Sequence, residues 1–170
     1  MDFLTLVKER WSVRKFRAED LPREVMEQIL EAGRVAPTAH NEQPQRVFVI
    51  RSAESKEKLK KCTRCHFDAP VVLMVCYDKN VCWKRKYDGA ESGVVDASIV
   101  TTHMMLAAEN LGVGTCWVMH FNPAVLRAEF ELPEYLEPVA LMPMGYPAVD
   151  AAPIAMHSQR KAMDELVTEI

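Results

Sequence analysis

The sequence predicts an α+β fold, with one mixed sheet sandwiched between helices. Three observations carry that expectation. Val71-Val72-Leu73-Met74-Val75-Cys76-Tyr77 is a continuous apolar run behind Pro70, as a central strand buried on both faces requires. Helical periodicities alternate with this run and with two other apolar runs, at residues 46–51 and 139–147. The 170 residues are 49% hydrophobic and 26% charged, a globular composition with enough apolar mass for a real core. No repeat, low-complexity tract or linker interrupts residues 1–170, so one domain is expected.

Taken in order, Phe3, Leu4, Leu6 and Val7 give one apolar face to an opening helix over residues 3–9. Arg10-Trp11-Ser12-Val13-Arg14-Lys15-Phe16 follows. If the helix stops near Arg10, then Arg10, Ser12 and Arg14 alternate along an extended segment and point the same way. Two rigid guanidinium forks and a hydroxyl suit a phosphate. The competing reading is a solvated basic segment paired with Glu9, Glu19 or Asp20. Asp20 is the expected N-cap of the next helix, with Pro22 in its first turn and Val25, Met26, Ile29, Leu30 and Ala32 as its buried stripe. Ala36-Pro37-Thr38-Ala39-His40-Asn41-Glu42-Gln43-Pro44 is a loop between two prolines. Its small side chains would let a flat ligand approach the backbone; it reads equally as a plain connector into the strand at 46–51.

Residues 53–61 read as an exposed helix in which Glu54 faces Lys58 and Glu57 faces Lys61. The loop at 80–93 carries Trp83, Lys84, Arg85, Lys86 and Tyr87. Its aromatics suit a cover over a site or loose packing on the surface, and its cations suit a nucleotide 2′-phosphate or a solvated turn. The helix at 94–111 is apolar nearly all round and must be enclosed, with a second subunit as a supplier of cover. It contains Asp96, His103 and Glu109, so it is a core helix and not a membrane span, with His103 expected inside. Gly112 ends it, a strand at 113–119 follows, and Asn122-Pro123 caps another helix. The tail from residue 148 reads as an arm lying on a partner, with a short helix from about Lys161.

A formal charge of −3 argues against non-specific nucleic-acid binding. No basic start leads into an apolar run, so no signal peptide is expected. Five cysteines then suggest reduced thiols in a cytoplasm. Cys62-Thr63-Arg64-Cys65-His66 fits the C-x-x-C-H pattern of c-type haem attachment, with His66 as axial ligand. Against it stand the missing export signal and a sheet too regular for a small cytochrome. A redox C-x-x-C would precede a helix, whereas this one precedes a strand, and a zinc site through Cys76 or Cys82 has no paired spacing. Glycine-rich dinucleotide, P-loop and G-x-S-x-G signatures are absent. His40 and His120 lie where they could face a site, but neither is assigned as a base.

Four segments together resemble the nitroreductase family of FMN-dependent NAD(P)H oxidoreductases. Arg10-Trp11-Ser12-Val13-Arg14 resembles the family's opening Arg-Arg-Ser-x-Arg motif, and the Ala36 to Pro44 loop its A-P-S-x-x-N-x-Q-P loop. Leu111-Gly112-Val113-Gly114-Thr115-Cys116-Trp117 is similar to its L-G-L-G-T-x-W strand, and Gln159-Arg160-Lys161 to its terminal basic motif. Trp11 stands where Arg is usual, and Met119-His120 where many members carry a small Gly.

The resemblance implies a mainly antiparallel sheet in an α-β-α sandwich and an obligate, intertwined homodimer. It implies FMN as cofactor and NADH or NADPH as reductant. Arg10, Ser12 and Arg160 would take the phosphate, with Trp11 beside them, and Arg14 would lie near N1 and O2 of the ring. Pro37, Thr38, Ala39, Asn41 and Gln43 would border the ring from the opposite subunit, and Trp117, Val118, Met119 and His120 would run beneath it. Trp83 and Tyr87 would form the substrate lid. Hydride would pass through flavin N5 to a small acceptor, nitroaromatic or quinone, by a ping-pong mechanism, with no catalytic side chain, no metal, no nucleic acid and no membrane. The alternatives are the haem protein and a non-catalytic flavin binder.

Overall fold

A computed structural model describes residues 2–170. Its centre is β2 (Val71–Asp78), all eight residues of which are buried. β1 (Gln45–Ile50) and β4 (Leu136–Gly145) flank it, β3 (Gly114–Thr115) lies outside β4, and every pairing is antiparallel in the order β1-β2-β4-β3. Among the described residues, the one parallel element is a bridge between Ser12 and Thr115.

The pleat sorts β2 into two cores. Val71, Leu73, Val75 and Tyr77 face α2 (Arg23–Arg34) and α4 (Gly93–Asn110), while Val72, Met74 and Cys76 face α3 (Ala53–Cys62) and α5 (Pro123–Glu129). The sheet is therefore enclosed by helices on both faces, as the apolar run of β2 demands. α1 (Phe3–Glu9) rests on α4, and the tail carries a short α6 (Met163–Leu166).

Several local expectations are corrected. Pro22, not Asp20, is the N-cap of α2, because the Asp20 carboxylate accepts the adjacent Leu21 N–H and pairs with Arg51. Glu54 does meet Lys58, but Glu57 pairs with Lys60 while Lys61 reaches across to Glu129. The strand expected at 113–119 shrinks to two residues. Its next partner on β4 is Pro143, which has no N–H to give, so the ladder breaks and resumes as a bridge between Val118 and Leu141. Only Leu6 of the α1 face is buried. His103 is exposed, its ring bonded to the Ile99 carbonyl, rather than inside.

α4 departs most instructively. Asp96, Ala97, Val100, Thr101, Met104 and Ala108 are buried, yet Val94 and Val95 remain 49% and 60% exposed. One side of an apolar helix thus has no cover from its own chain. Among the described residues, no helix is long and apolar enough to cross a membrane.

Candidate active site

Residues 10–14 are positioned by α1 and by β3. The Asp2 carboxylate caps α1 by accepting the Leu4 N–H at 3.0 Å, and the Arg10 N–H closes the helix on the Leu6 carbonyl at 3.0 Å. Arg10 then turns extended, and the Val13 N–H donates to the Thr115 carbonyl at 2.9 Å. Val13 is 1% exposed and anchors the segment in the core.

Around that anchor Arg10, Trp11, Ser12 and Arg14 line a cavity of about 230 Å³, closed by Pro153, Ile154, Met156, His157 and Arg160 of the tail. The two ends of the chain thus bring three guanidiniums and a hydroxyl together. No carboxylate lines the cavity, and among the described residues Arg10, Arg14 and Arg160 form no ion pair. The competing reading, a basic segment neutralised by Glu9, Glu19 or Asp20, is not what forms. Arg14 Nη1 donates to the Ser12 carbonyl at 3.1 Å, and Arg160 Nη1 to the Gln159 carbonyl at 2.7 Å. Burial pushes the Glu109 carboxyl above its ordinary value, and the Arg10 guanidinium opposes that rise. Burial likewise raises the Cys116 thiol, against the pull of Arg14 and a hydrogen bond with Ser12. Charged forks without carboxylate partners, facing a shared space, are a donor set for a phosphate monoester dianion.

From this corner residues 115–118 run along β4, held by Cys116 N–H to Pro143 O at 3.1 Å and Val118 N–H to Leu141 O at 2.9 Å, and Met119 and His120 follow. Trp117 is half-buried, Val118 is buried, and Met119 and His120 are exposed at the end of the run. A planar ligand anchored at the corner would find this backbone as a shelf.

The loop at 37–43 is strained and closely tied. His40, Asn41 and Gln43 all have positive φ, at 54°, 57° and 50°. Non-glycine residues in that region are held there only by their surroundings. Thr38 Oγ1 accepts the Gln43 N–H at 3.1 Å, and Gln43 Nε2 donates to the Asn41 carbonyl at 3.2 Å. The decisive tie is one the sequence reading missed. Buried Asp96, at the start of α4, accepts the Ala39 N–H at 2.8 Å and the Ser92 hydroxyl at 2.7 Å. A carboxylate four residues after Ser92 in an otherwise apolar helix was the available signal. Asp96→Asn keeps the shape and loses the charge. It is expected to lower stability by about 0.5–1.5 kcal/mol in denaturant titration, the net worth of a hydrogen bond, with faster amide exchange at Ala39.

The loop at 80–93 is a folded excursion. Lys84 bridges and ion-pairs with Glu91, Arg85 donates two hydrogen bonds to the Asp88 carboxylate, at 2.8 and 2.6 Å, and the Ser92 N–H closes on the Trp83 carbonyl. Lys84 and Arg85 are thus paired with acids of their own loop. Tyr87 is 97% exposed and touches no wall of the phosphate corner in its own chain.

The 10–14 corner and the 37–43 loop lie at opposite ends of the sheet, and residues 117–120 follow the corner along β4. Ser12 bridges Thr115, which pairs with Met144 opposite Val71, at the start of β2. The 37–43 loop enters β1 at Gln45, which pairs with Tyr77 near the end of β2. Six residues of strand separate these points, roughly 20 Å at about 3.3 Å per residue. Trp83 and Tyr87 belong to the loop end, since Asp96 and Tyr77 tie both loops there. One chain does not bring the two groups together.

The haem reading is corrected here. Cys62 is 4% exposed at the end of α3, its thiol donating to the Lys58 carbonyl, and His66 Nδ1 accepts the Asp68 N–H at 3.0 Å. Burial pushes the Cys62 thiol up, so it is neither open nor activated for attachment.

The structure is thus a helix-enclosed antiparallel sheet with an arginine-lined corner built from residues 10–14 and the tail. The chain belongs to the nitroreductase family, whose profile matches residues 7–68 and 64–146. A crystal structure of a nitroreductase family protein from Clostridium difficile 630 superposes with a TM-score of 0.92 at 40% identity, covering 99% of this chain and 98% of that one. A protein of Desulfovibrio desulfuricans, provisionally described as a nitroreductase and solved in complex with FMN, has a TM-score of 0.82 at 28% identity, covering 98% and 95%. The FMN reductase [NAD(P)H] of Bacillus subtilis is 32% identical over 81% of this chain, which spans 62% of that longer protein.

Proposed function

We propose that this protein is an FMN-dependent oxidoreductase that takes hydride from NADH or NADPH and passes it, by a ping-pong scheme, to a small organic acceptor such as a nitroaromatic or quinone. The observation that carries it is the phosphate corner, where Arg10, Ser12, Arg14 and Arg160 converge without a carboxylate. When bound, FMN supplies the centre that accepts and donates hydride. The chain's own residues bind and orient it. Arg10, Ser12 and Arg160 hold the phosphate, and Arg14 lies further along toward the pyrimidine edge, where a fixed cation favours the reduced state. Trp11 packs beside the phosphate donors, and residues Trp117 to His120 form the shelf.

The other border comes from a second copy, which brings Pro37, Thr38, Ala39, Asn41 and Gln43 with Trp83 and Tyr87 as cover. Two features support that arrangement besides the separation along the sheet. α4 leaves Val94 and Val95 uncovered, and the tail exposes Ile154, Met156, Met163, Leu166 and Val167. Apolar side chains on two uncovered surfaces of one small protein are interface material. Five free cysteines fit a reducing, cytoplasmic setting.

The test is an FMN titration followed by anaerobic NADH or NADPH. Uptake of about one FMN per chain and bleaching of the flavin bands are the expected results. Uptake without bleaching by either nucleotide would make the protein a flavin binder, and no uptake would remove the reading.

A further inference from the structure

A second cavity, of about 620 Å³, opens where the 115–120 run ends. Its walls come from the end of α3 and from the turn before α5, including Lys61, Arg64, His120 and Asn122. These walls are joined. The Thr63 hydroxyl donates to the His120 carbonyl, the Cys65 N–H donates to Thr63 Oγ1 at 3.0 Å, and the Asn122 N–H donates to the Cys62 carbonyl at 2.9 Å. The C-x-x-C-H stretch therefore shapes a pocket rather than presenting thiols.

The charge of this pocket is one-sided. Lys60, Lys61 and Arg64 line it and no carboxylate does, in a chain whose net charge is −3. Lys60 is committed to Glu57 at 2.7 Å and Lys61 to Glu129 at 2.9 Å, both outside the lining. Among the described residues, Arg64 makes no ion pair or side-chain hydrogen bond, and the exposed His120 ring makes none. A free guanidinium fork beside an open cavity matches a planar carboxylate.

We infer that this pocket holds the carboxylate of an anionic aromatic acceptor, with Arg64 as the recognising cation. The inference rests on the flavin reading in one respect: the shelf leading from the proposed phosphate corner ends at His120, which lines the same pocket as Arg64. Arg64 selects which acceptor is reduced and takes no part in loading hydride from the nucleotide.

The experiment compares the FMN-loaded wild type with Arg64→Ala and Arg64→Lys, using 4-nitrobenzoate and the neutral 4-nitrobenzyl alcohol as acceptors. Arg64→Ala is expected to lower kcat/KM for 4-nitrobenzoate by about tenfold, a charge-assisted bond discounted for an open site, and to leave the alcohol unchanged. Arg64→Lys recovers part of the loss, and the rate of flavin bleaching by NADH stays as in the wild type. Equal losses on both acceptors, no loss on either, or a loss confined to NADH would overturn the inference. Calorimetric titration of 4-nitrobenzoate into the purified protein, with and without flavin, separates the two readings. Binding weakened by Arg64→Ala in a protein that never bleaches would keep the anion site and remove the redox function. Bleaching without 4-nitrobenzoate binding would do the reverse.

Discussion

Arg10→Ala is expected to weaken FMN retention by about 1.5–3 kcal/mol, the range for hydrogen bonds to charged groups, which is more than tenfold in the dissociation constant. The size follows from the composition of the corner. Its cations have no carboxylate partner among the described residues, so Arg10 is free to bond a phosphate oxygen without first giving up an ion pair. The Arg10 guanidinium does act on Glu109, whose carboxyl burial raises and Arg10 lowers. Arg14→Ala is expected to differ. Its guanidinium, held by the Ser12 carbonyl, is assigned to the ring and not to the phosphate, so its loss should mainly slow reduction by NAD(P)H. Equilibrium dialysis for retention and stopped-flow bleaching for reduction separate the two. Equal effects of both variants on retention alone would contradict the assignment of Arg14.

Gly114→Ala is expected to damage the fold and the corner together. A Cβ at Gly114 would lie 2.5 Å from Val13 Cγ2 and 2.9 Å from Val13 Cβ, with Pro147 Cγ at 3.1 Å. Val13 cannot yield easily, because its side chain is fully packed and its N–H is bonded to Thr115. Overpacking of this kind costs about 1–3 kcal/mol. The relief available to the chain is to push residues 10–14 outward, which moves both guanidiniums. A drop in the denaturant midpoint of the apoprotein together with weaker FMN binding is the expected pair of results. A stability loss with unchanged FMN affinity would show that Val13 does not position the corner.

The parts of this fold legible in the sequence are those set by local pattern. The bounds of α1 and the central place of β2 follow from an apolar face and an apolar run. Arg10, Ser12 and Arg14, which alternate along the segment, do line one cavity, but Trp11 between them lines it as well. What was not legible depends on contacts distant in the chain. β3 is short because Pro143, on another strand, interrupts the ladder, and Lys61 leaves its own helix for Glu129. In the sequence Asp96 serves only to rule out a membrane span, until the Ala39 N–H arrives from 57 residues away. The uncovered side of α4 shows the complementary lesson. A helix apolar on every side states that cover is needed, and only the packing shows which side its own chain leaves open.

The most direct measurement pairs two defective chains. Arg10→Ala removes the proposed phosphate contact and Asn41→Ala the proposed ring contact, on groups that lie at opposite ends of the sheet in one chain. Co-expressed with different tags and purified as a mixed dimer, the two variants should regain one tight FMN site that bleaches with NADH at the wild-type rate. That result follows only if each site takes its corner from one copy and its loop from the other. A mixed dimer that binds FMN no better than either parent would contradict the shared site and return both groups to a single chain.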